Sequence, residues 1–201
     1  SIVDSTLLDD GTRIFAKNAV NVDIASNFST SSTRQMKQLS GELFYEIKHD
    51  ASHPFIIENT FGNVMVVGTA FVIQATDSST SIIVTEGKVK VYRDRDTVLL
   101  VANDKLVLRR NSIMQKQENR DPNFLFWKTQ ILSYDNKSLR DVLDDIESKF
   151  GYTIHMNSTL NMKQLNGKYF AHHIEDVIQT ICTTFDLSYQ MNEKEITLTQ
   201  K

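Results

Sequence analysis

Histidine pairs are the first candidates for metal or acid–base chemistry in this chain of 201 residues. His49 and His53 are four residues apart, a spacing that on a helix would place two imidazoles side by side as metal ligands. They fall in a polar stretch between strand-like segments, which favours a solvated loop. His172 and His173 are adjacent and precede a predicted helix, so their side chains point in different directions. The sequence therefore predicts no metal site.

Cys182 is the one cysteine of the chain. It directly follows Ile181 in a predicted helix, and no histidine or aspartate is placed by the sequence to activate its thiol as a nucleophile. We interpret Cys182 as a small buried hydrophobic residue. A single cysteine also cannot form an internal disulfide, so the fold does not depend on one.

Paired carboxylates are a further source of catalysis, because one can act as acid and the other as base. Four acidic residues lie near the start of a predicted helix: Asp141, Asp144, Asp145 and Glu147. The helix dipole explains Asp141, and a solvated helix face explains the others. The chain contains no Gly-x-Ser-x-Gly, no glycine-rich phosphate loop and no His-Glu-x-x-His. We therefore predict that the protein is not an enzyme and uses no cofactor.

The composition is that of a globular chain with two modest domains. Hydrophobic residues make up 40% and charged residues 23%, with a net charge of -3. Basic residues are scattered, and the pair Arg109–Arg110 is interpreted as a solvated strand end, so no nucleic-acid surface is predicted. No apolar run is long enough to cross a membrane. The chain opens without methionine or a signal peptide, and we expect a fragment whose membrane anchor lies elsewhere.

The first half of the sequence is predicted to be all-β. Short segments rich in Val, Ile, Phe and Thr alternate with polar turns. In residues 88–91 the valines alternate with lysines, the pattern of a strand with one buried face. The predicted strands are Leu39–Ile47, Phe55–Glu58, Asn63–Val67, Ala70–Gln74, Ser81–Glu86, Lys88–Tyr92, Val98–Ala102 and Lys105–Leu108.

A polar segment with a proline, residues 115–123, marks a domain boundary. We place the first domain at residues 1–118 and the second at 119–201. Two apolar stripes at helical spacing follow it. The residues of the first stripe are Leu139, Val142, Leu143, Ile146 and Phe150, and those of the second are Ile174, Val177, Ile178, Ile181 and Phe185. Ser138 or Asn136 is the predicted N-cap of the first helix, and Gly151 the predicted C-cap.

The two stripes are separated by a constant offset of 35 residues, since 174 − 139 = 35. Asp, Val, Ile, Phe and Met recur in register, at 141/176, 142/177, 146/181, 150/185 and 156/191. Each helix is followed by an alternating strand and preceded by a short β-like run, Ile131–Tyr134 before the first helix and Lys168–Phe170 before the second. The sequence therefore predicts an internal duplication of a βαβ unit, with a further strand at Glu195–Gln200.

The first half also resembles the FecR domain. The resemblance rests on the order and spacing of "GE-x-F-x-E", "PF", "V-x-GT-x-F" and "EG-x-V-x-V", after an opening Asp10-Gly11-Thr12 turn. The residues that match these motifs are Gly41, Glu42, Phe44, Pro54, Phe55, Gly68, Thr69, Phe71, Glu86 and Gly87. The resemblance implies a β domain built as a sandwich or as a solenoid-like stack of short strands, in which these signature residues are structural.

The second half resembles the small domain that follows FecR in such regulators. Trp127 at its start and the Leu-x-Gly-x-Tyr strand around Gly167 carry the resemblance. This domain is similar to the short N-terminal domain of secretins and TonB-dependent receptors. We expect Trp127 to pack the second domain onto the first, with an aromatic ligand platform as the less favoured role.

The resemblance implies a signalling function. The chain would be the periplasmic part of a single-pass inner-membrane anti-sigma regulator. It would contact the signalling domain of a TonB-dependent outer-membrane transporter, and its absent cytoplasmic segment would hold an extracytoplasmic-function sigma factor. The alternative is a periplasmic glycan- or peptidoglycan-binding module without signalling, which requires clustered exposed aromatic side chains. The residues that would bind the partner are not identified by the sequence.

Overall fold

The computed structural model describes residues 4–25, 28 and 32–201, except for the side chain of residue 158. The chain divides into two compact units, the first ending at Arg120 and the second beginning at Asp121. No helix in the described part of the chain has the length and apolar character needed to cross a membrane.

Unit 1 is a β structure. In its described residues, twelve strands join into one nearly closed sheet. They are β1 (Asp4–Leu7), β2 (Arg13–Ala16), β3 (Asn21–Ile24), β4 (Arg34–Glu46), β5 (Phe55–Glu58), β6 (Asn63–Val66), β7 (Ala70–Ala75), β8 (Thr80–Glu86), β9 (Lys88–Arg93), β10 (Asp96–Val101), β11 (Asp104–Leu108) and β12 (Lys116–Glu118).

The long strand β4 organises this sheet. Its first part pairs with β3 and in parallel with β5, and its second part pairs with β2 and β7. The strands run in the order β10-β9-β6-β5-β4-β7-β8-β11-β12, and β10 lies beside β8 and β11. The inward side chains of both halves meet in one apolar core.

Local sequence explains the short strands of unit 1. Val89 and Val91 are fully buried while Lys88 and Lys90 are exposed, as the alternation predicts. Asp94 and Asn103 take positive φ at the turns after β9 and β10, a conformation that Asn and Asp tolerate better than most residues.

The prediction of a mainly β fold is confirmed, and the eight predicted strands correspond to β4–β11. The strands β1, β2 and β3 were not predicted. β1 and β3 carry few apolar residues, and β2 is a single short run, Arg13–Ala16, without the alternation that marks a strand. The polar boundary segment is also more ordered than the sequence suggested. Its residues Lys116–Glu118 form β12 and pair with β11.

Unit 2 combines two long helices with two small sheets. Its elements are α1 (Phe126–Thr129), β13 (Ile131–Ser138), α2 (Leu139–Phe150), β14 (Thr153–Met156), a 3-10 turn (Ser158–Leu160), β15 (Gln164–Phe170), α3 (Ile174–Phe185), β16 (Leu187–Asn192) and β17 (Glu195–Gln200). The two predicted apolar stripes are the inward faces of α2 and α3 and form the centre of the unit 2 core.

The tandem βαβ description needs correction. The order β-α-β does occur twice, as β13-α2-β14 and β15-α3-β16. The two strands that flank each helix nevertheless belong to different sheets: β13 pairs with β15, while β14 and β16 both pair with β17. The duplicated segments therefore interlock through shared sheets, and neither forms a closed βαβ unit.

The ends of α2 and α3 are fixed by their sequence. Ser138 caps α2 by accepting a hydrogen bond from the Asp141 amide at 3.1 Å, and Gly151 ends the helix in the left-handed conformation. At α3 the Asp176 carboxylate accepts from the His173 amide at 2.9 Å, and Asp186 takes the left-handed position.

Candidate partner-binding surface

The opening turn of unit 1 is held by a buried arginine. Arg34 is 4% exposed, and its Nη1 donates to the Asp10 carboxylate at 2.7 Å. The same guanidinium donates to the carbonyl oxygens of His53 and Lys48. Asp10 also accepts from the amide and hydroxyl of Thr12. The turn thus supplies the counter-ion that a buried guanidinium requires.

Gly41 and its neighbours lie where β4 changes partners. Gly41 has a φ of 97°, and a Cβ there would lie 2.6 Å from Val20 Cγ1, so this position has no room for a side chain. Glu42 pairs with Lys17 at 2.9 Å. Phe44 is buried. Gly41 therefore permits the close approach of β4 to the segment before β3.

The Gly-Thr and Glu-Gly motifs lie against each other. A Cβ on Gly68 would come within 2.7 Å of the His49 Cα, so the two backbones touch here. The Thr69 hydroxyl donates to the Lys88 carbonyl at 3.0 Å. Gly87 packs against Gly68, because a Cβ on Gly87 would lie 3.1 Å from the Gly68 carbonyl oxygen. Close backbone packing explains why glycine occupies both positions.

The remaining signature residues of unit 1 have separate places. The Pro54 carbonyl accepts from the backbone amide of Arg34 at 2.9 Å. Phe55 is fully buried, with the Arg34 guanidinium 5.4 Å from its ring centroid, within the range of a cation–π contact. Phe71 is also fully buried, whereas Glu86 is exposed at the end of β8.

In unit 2 the signature residues are Trp127 and Gly167. Trp127 is buried in α1. Gly167 lies in β15 opposite Tyr134, and a Cβ on it would come within 3.2 Å of the Tyr169 hydroxyl. Gly167 therefore leaves room for the Tyr169 ring, whose centroid is 6.2 Å from that of Tyr134. The role of Trp127 in joining the domains stays a prediction.

The histidines are not gathered into a site. His53 Nδ1 lies 2.8 Å from the Asp50 carboxylate, and this hydrogen bond lowers the pKa of Asp50. The His172 ring packs edge-on against Phe170 with the centroids 4.5 Å apart. Across the described residues, no cluster of three or more His, Cys, Asp and Glu side chains has the arrangement of a metal site.

Cys182 is buried on the core side of α3. Burial raises the pKa of its thiol above the ordinary value, which favours the protonated form. This is the opposite of the thiolate that nucleophilic catalysis requires. The interpretation of Cys182 as a small buried hydrophobic residue agrees with this position.

The prediction that Asp145 lies on a solvated face of α2 is wrong. Its carboxylate accepts hydrogen bonds from the Tyr134 hydroxyl at 3.0 Å and from Asn123 Nδ2 at 2.9 Å, and it pairs with Lys149 at 3.0 Å. Burial, and next the charge of Asp145, raise the pKa of Tyr134 well above its ordinary value. Asp145 thus fastens β13 and the segment before α1 to α2. Sequence reasoning missed this network because its members are far apart in the chain.

The other three acidic residues of α2 make local contacts, and two of them, Asp144 and Glu147, share Arg140 as an ion-pair partner. The Asp141 amide donates to the cap residue Ser138, which places Asp141 in the first turn as predicted. Asp144 pairs with Arg140 one turn earlier on the exposed face. Glu147 accepts from the backbone amide of Ile154 at the start of β14. The four carboxylates do not converge on a shared cavity.

One cavity of unit 1 lies at the ends of three turns, with a volume of about 440 Å³. Arg93 lines it and donates to the carbonyl oxygens of Arg109 and Ser112, so its guanidinium braces the neighbouring turn. Arg109 and Arg110 are exposed. Acidic and basic residues line the cavity together, and their charges offset one another.

A groove of unit 2 differs from the unit 1 cavity in its lining, which joins an exposed aromatic ring to threonine side chains. It has a volume of about 520 Å³ and lies between the end of β15 and the outward face of α3. Phe170 is 60% exposed at its edge, next to His172. The α3 residues that line the groove are Asp176, Gln179, Thr180, Thr183 and Thr184. No other aromatic side chain of the described residues reaches this exposure, since the rest are buried or half-buried.

Two family models match the chain. The model described as "FecR protein" matches residues 4–90, and the model described as "FecR, C-terminal" matches residues 131–198. The two matches fall in units 1 and 2 respectively. No curated protein matches the chain.

Solved structures show the same fold. Two crystal structures of a candidate anti-sigma factor from Parabacteroides distasonis ATCC 8503, at 1.65 and 2.50 Å resolution, are similar to the chain with TM-scores of 0.61 and 0.60. Each is 22% identical, and the similarity covers 100% of this chain and 95% of that protein's chain. The fold of this chain therefore also occurs in another protein, over nearly the whole of that protein's chain.

Proposed function

Because the chain belongs to the FecR family of anti-sigma regulators, we propose that it is the periplasmic sensor region of a transmembrane anti-sigma factor. In this role it contacts the signalling domain of a TonB-dependent outer-membrane transporter. It relays the state of that transporter to an extracytoplasmic-function sigma factor held by a cytoplasmic segment. The observation that carries the proposal is the family match in both units.

Open sheet edges support binding of a small folded partner. Within the described residues β1 pairs only with β2, and all four of its residues are exposed. In unit 2 the sheet β13-β15 has only two strands, so each strand has an unpaired edge. An unpaired edge can accept a strand from another protein through backbone hydrogen bonds.

The glycan-binding alternative has less support. It requires several exposed aromatic side chains on one β face, because sugar rings stack on such platforms. Phe170 is the exposed aromatic residue of the described chain, and the others are buried or half-buried. The carboxylates and the thiol also lack the arrangement of a hydrolase, so we propose a role in binding without turnover.

Calorimetric titration with the signalling domain of the cognate receptor tests the proposal. We expect a saturable heat with a stoichiometry of one to one. A signalling domain from a receptor of another regulator serves as the control for specificity. The absence of heat at high micromolar concentrations of the cognate domain would overturn the proposed function.

A further inference from the structure

Unit 2 exposes an apolar pair that its own fold does not cover. Phe170 and Ile131 are register partners at the end of the β13-β15 sheet, so they share one face of it. They are 60% and 41% exposed. An exposed aromatic ring beside an aliphatic side chain is costly to leave in water, and such pairs are common at the centres of protein interfaces.

The α3 side of the groove is polar, but removing water from it costs little free energy. The hydroxyls of Thr180, Thr183 and Thr184 donate to the carbonyl oxygens of Asp176, Gln179 and Thr180 at 2.8–2.9 Å. Because these three donors are already satisfied inside the helix, a partner that covers them leaves none of the three unpaired. The groove therefore combines an apolar edge with a threonine side whose hydroxyl donors do not depend on water.

The charge of the groove indicates the chemistry of its occupant. Asp176 is the charged side chain that lines it, and Glu175 stands beside it in α3. The sequence of α3 contains these two acids and no lysine or arginine. Hydrogen bonds from the His173 and His172 amides lower the pKa of Asp176, so its negative charge persists in mildly acidic solution. A complementary partner presents basic groups beside an apolar residue.

We infer that this groove is the docking site for the receptor's signalling domain, which inserts an apolar side chain flanked by lysine or arginine. The inference rests on the proposed function and names the surface that performs it. The inserted side chain packs on Phe170 and Ile131 and covers the threonines of α3. The flanking basic groups face Asp176 and Glu175.

Affinity measurements on variants of the whole chain test the docking site. We expect Phe170→Ala to weaken binding to the cognate signalling domain by at least about tenfold, because it removes the exposed ring at the groove edge. Thr183→Lys places a positive charge in the groove and is expected to weaken binding by a similar factor. Thr183→Glu is of comparable size but opposite charge, and we expect it to weaken binding less.

Two matched controls separate the groove from general surface effects. Ser148 lies in α2 at the position equivalent to Thr183, since 183 − 148 = 35, and it is exposed. Ser148→Lys and Met162→Ala, the latter at an exposed apolar residue outside the groove, are expected to change affinity by less than about twofold. Unfolding followed by Trp127 fluorescence verifies that each variant keeps its fold.

The outcomes distinguish the docking site from the proposed function. If the native chain binds and Phe170→Ala binds equally well, the groove is not the docking site, while the proposed function stands. If Thr183→Lys and Thr183→Glu weaken binding equally, the basic character of the partner is wrong. If the native chain does not bind at all, both the docking site and the proposed function fail.

Discussion

The helices α2 and α3 have nearly the same inward face and very different outward faces. Both are twelve residues long and bury apolar residues at equivalent positions. The outward face of α2 carries acids and bases that pair with each other or with neighbouring segments. The outward face of α3 beyond its first turn carries glutamine and threonines and borders an open groove.

This difference shows how a duplicated segment can serve two purposes. The inward residues are constrained in both helices, because they fill one shared core. The outward residues are free to diverge. In α2 they fasten β13 and the segment before α1, through Asp145 and Lys149. In α3 they remain available to another molecule.

The largest expected effect tests the equivalence of the inward faces. Ile146 and Ile181 are fully buried at matched positions. We expect Ile146→Ala and Ile181→Ala each to lower the free energy of unfolding of unit 2 by about 2–5 kcal/mol, because each leaves a cavity. Denaturant unfolding followed by fluorescence measures this, since Trp127 is the only tryptophan of the chain and lies in unit 2.

The control for these two variants is Ile113→Ala, at an isoleucine that is 88% exposed in unit 1 and should leave this transition unchanged. If one of the two buried isoleucines proves dispensable, the inward faces are not equivalent, and the duplication does not extend to the packing of the core.

Sequence reasoning identified the inward faces because their signal is local. Residues at i, i+3, i+4 and i+7 define a buried stripe without any knowledge of what covers it. The same applies to the strands β5–β11, which repeat short apolar runs between turns. The pairing of strands across two sheets was not predictable in this way, because the periodicity of a strand does not identify its neighbour.

The contacts made by outward-facing residues could not be predicted from the sequence, for a related reason. The sequence alone indicates a solvated carboxylate at Asp145, because its hydrogen-bond partners are distant in the chain. Tyr134 lies 11 residues earlier and Asn123 lies 22 residues earlier. Arg34 likewise pairs with Asp10, which is 24 residues away in the sequence. Phe170 was seen as part of a strand, but the sequence does not show that its side of the two-stranded sheet is left uncovered.

The second prediction tests the outward faces directly. Asp145 and Thr180 are equivalent positions, since 180 − 145 = 35. We expect Asp145→Ala to destabilise unit 2 by about 1–3 kcal/mol, because the hydroxyl of Tyr134 and the side-chain amide of Asn123, two buried residues, lose their acceptor. We expect Thr180→Ala to change stability by less than about 0.5 kcal/mol. Equal losses would mean that both outward faces are structural, and denaturant unfolding decides between the two results.

The third prediction compares the C-terminal caps. Gly151 and Asp186 are equivalent, and both take the left-handed conformation, with φ of 71° and 55°. A Cβ at Gly151 would have no atom within 4 Å. A substitution there therefore destabilises the fold only through the strain of the left-handed backbone conformation. We expect Gly151→Asp to destabilise unit 2 by about 1 kcal/mol and Asp186→Gly to stabilise it by up to about 1 kcal/mol. Changes of the same sign in thermal unfolding would contradict this account.

The smallest effect concerns the N-terminal caps, which respond differently to acid. The cap of α2 is the Ser138 hydroxyl, which does not titrate in this range. At α3, Asp176 accepts from the His173 amide, and this bond together with that from His172 and the nearby histidine charges lowers the pKa of Asp176. A depressed pKa in the folded state means that the ionised carboxylate stabilises the fold above the pKa of the unfolded chain. That contribution is lost as the pH falls through the folded pKa.

We therefore expect the start of α3 to open in acid before the start of α2. Amide hydrogen exchange of the native chain, measured at neutral pH and at pH values below the ordinary pKa of aspartate, reports the two helix ends separately. In Asp176→Asn the protection at the start of α3 should lose this pH dependence, because the amide oxygen still accepts the hydrogen bond but does not titrate. If Asp176→Asn keeps the pH dependence of the native chain, the Asp176 cap is not its source, and the difference between the two helices is confined to their outward faces.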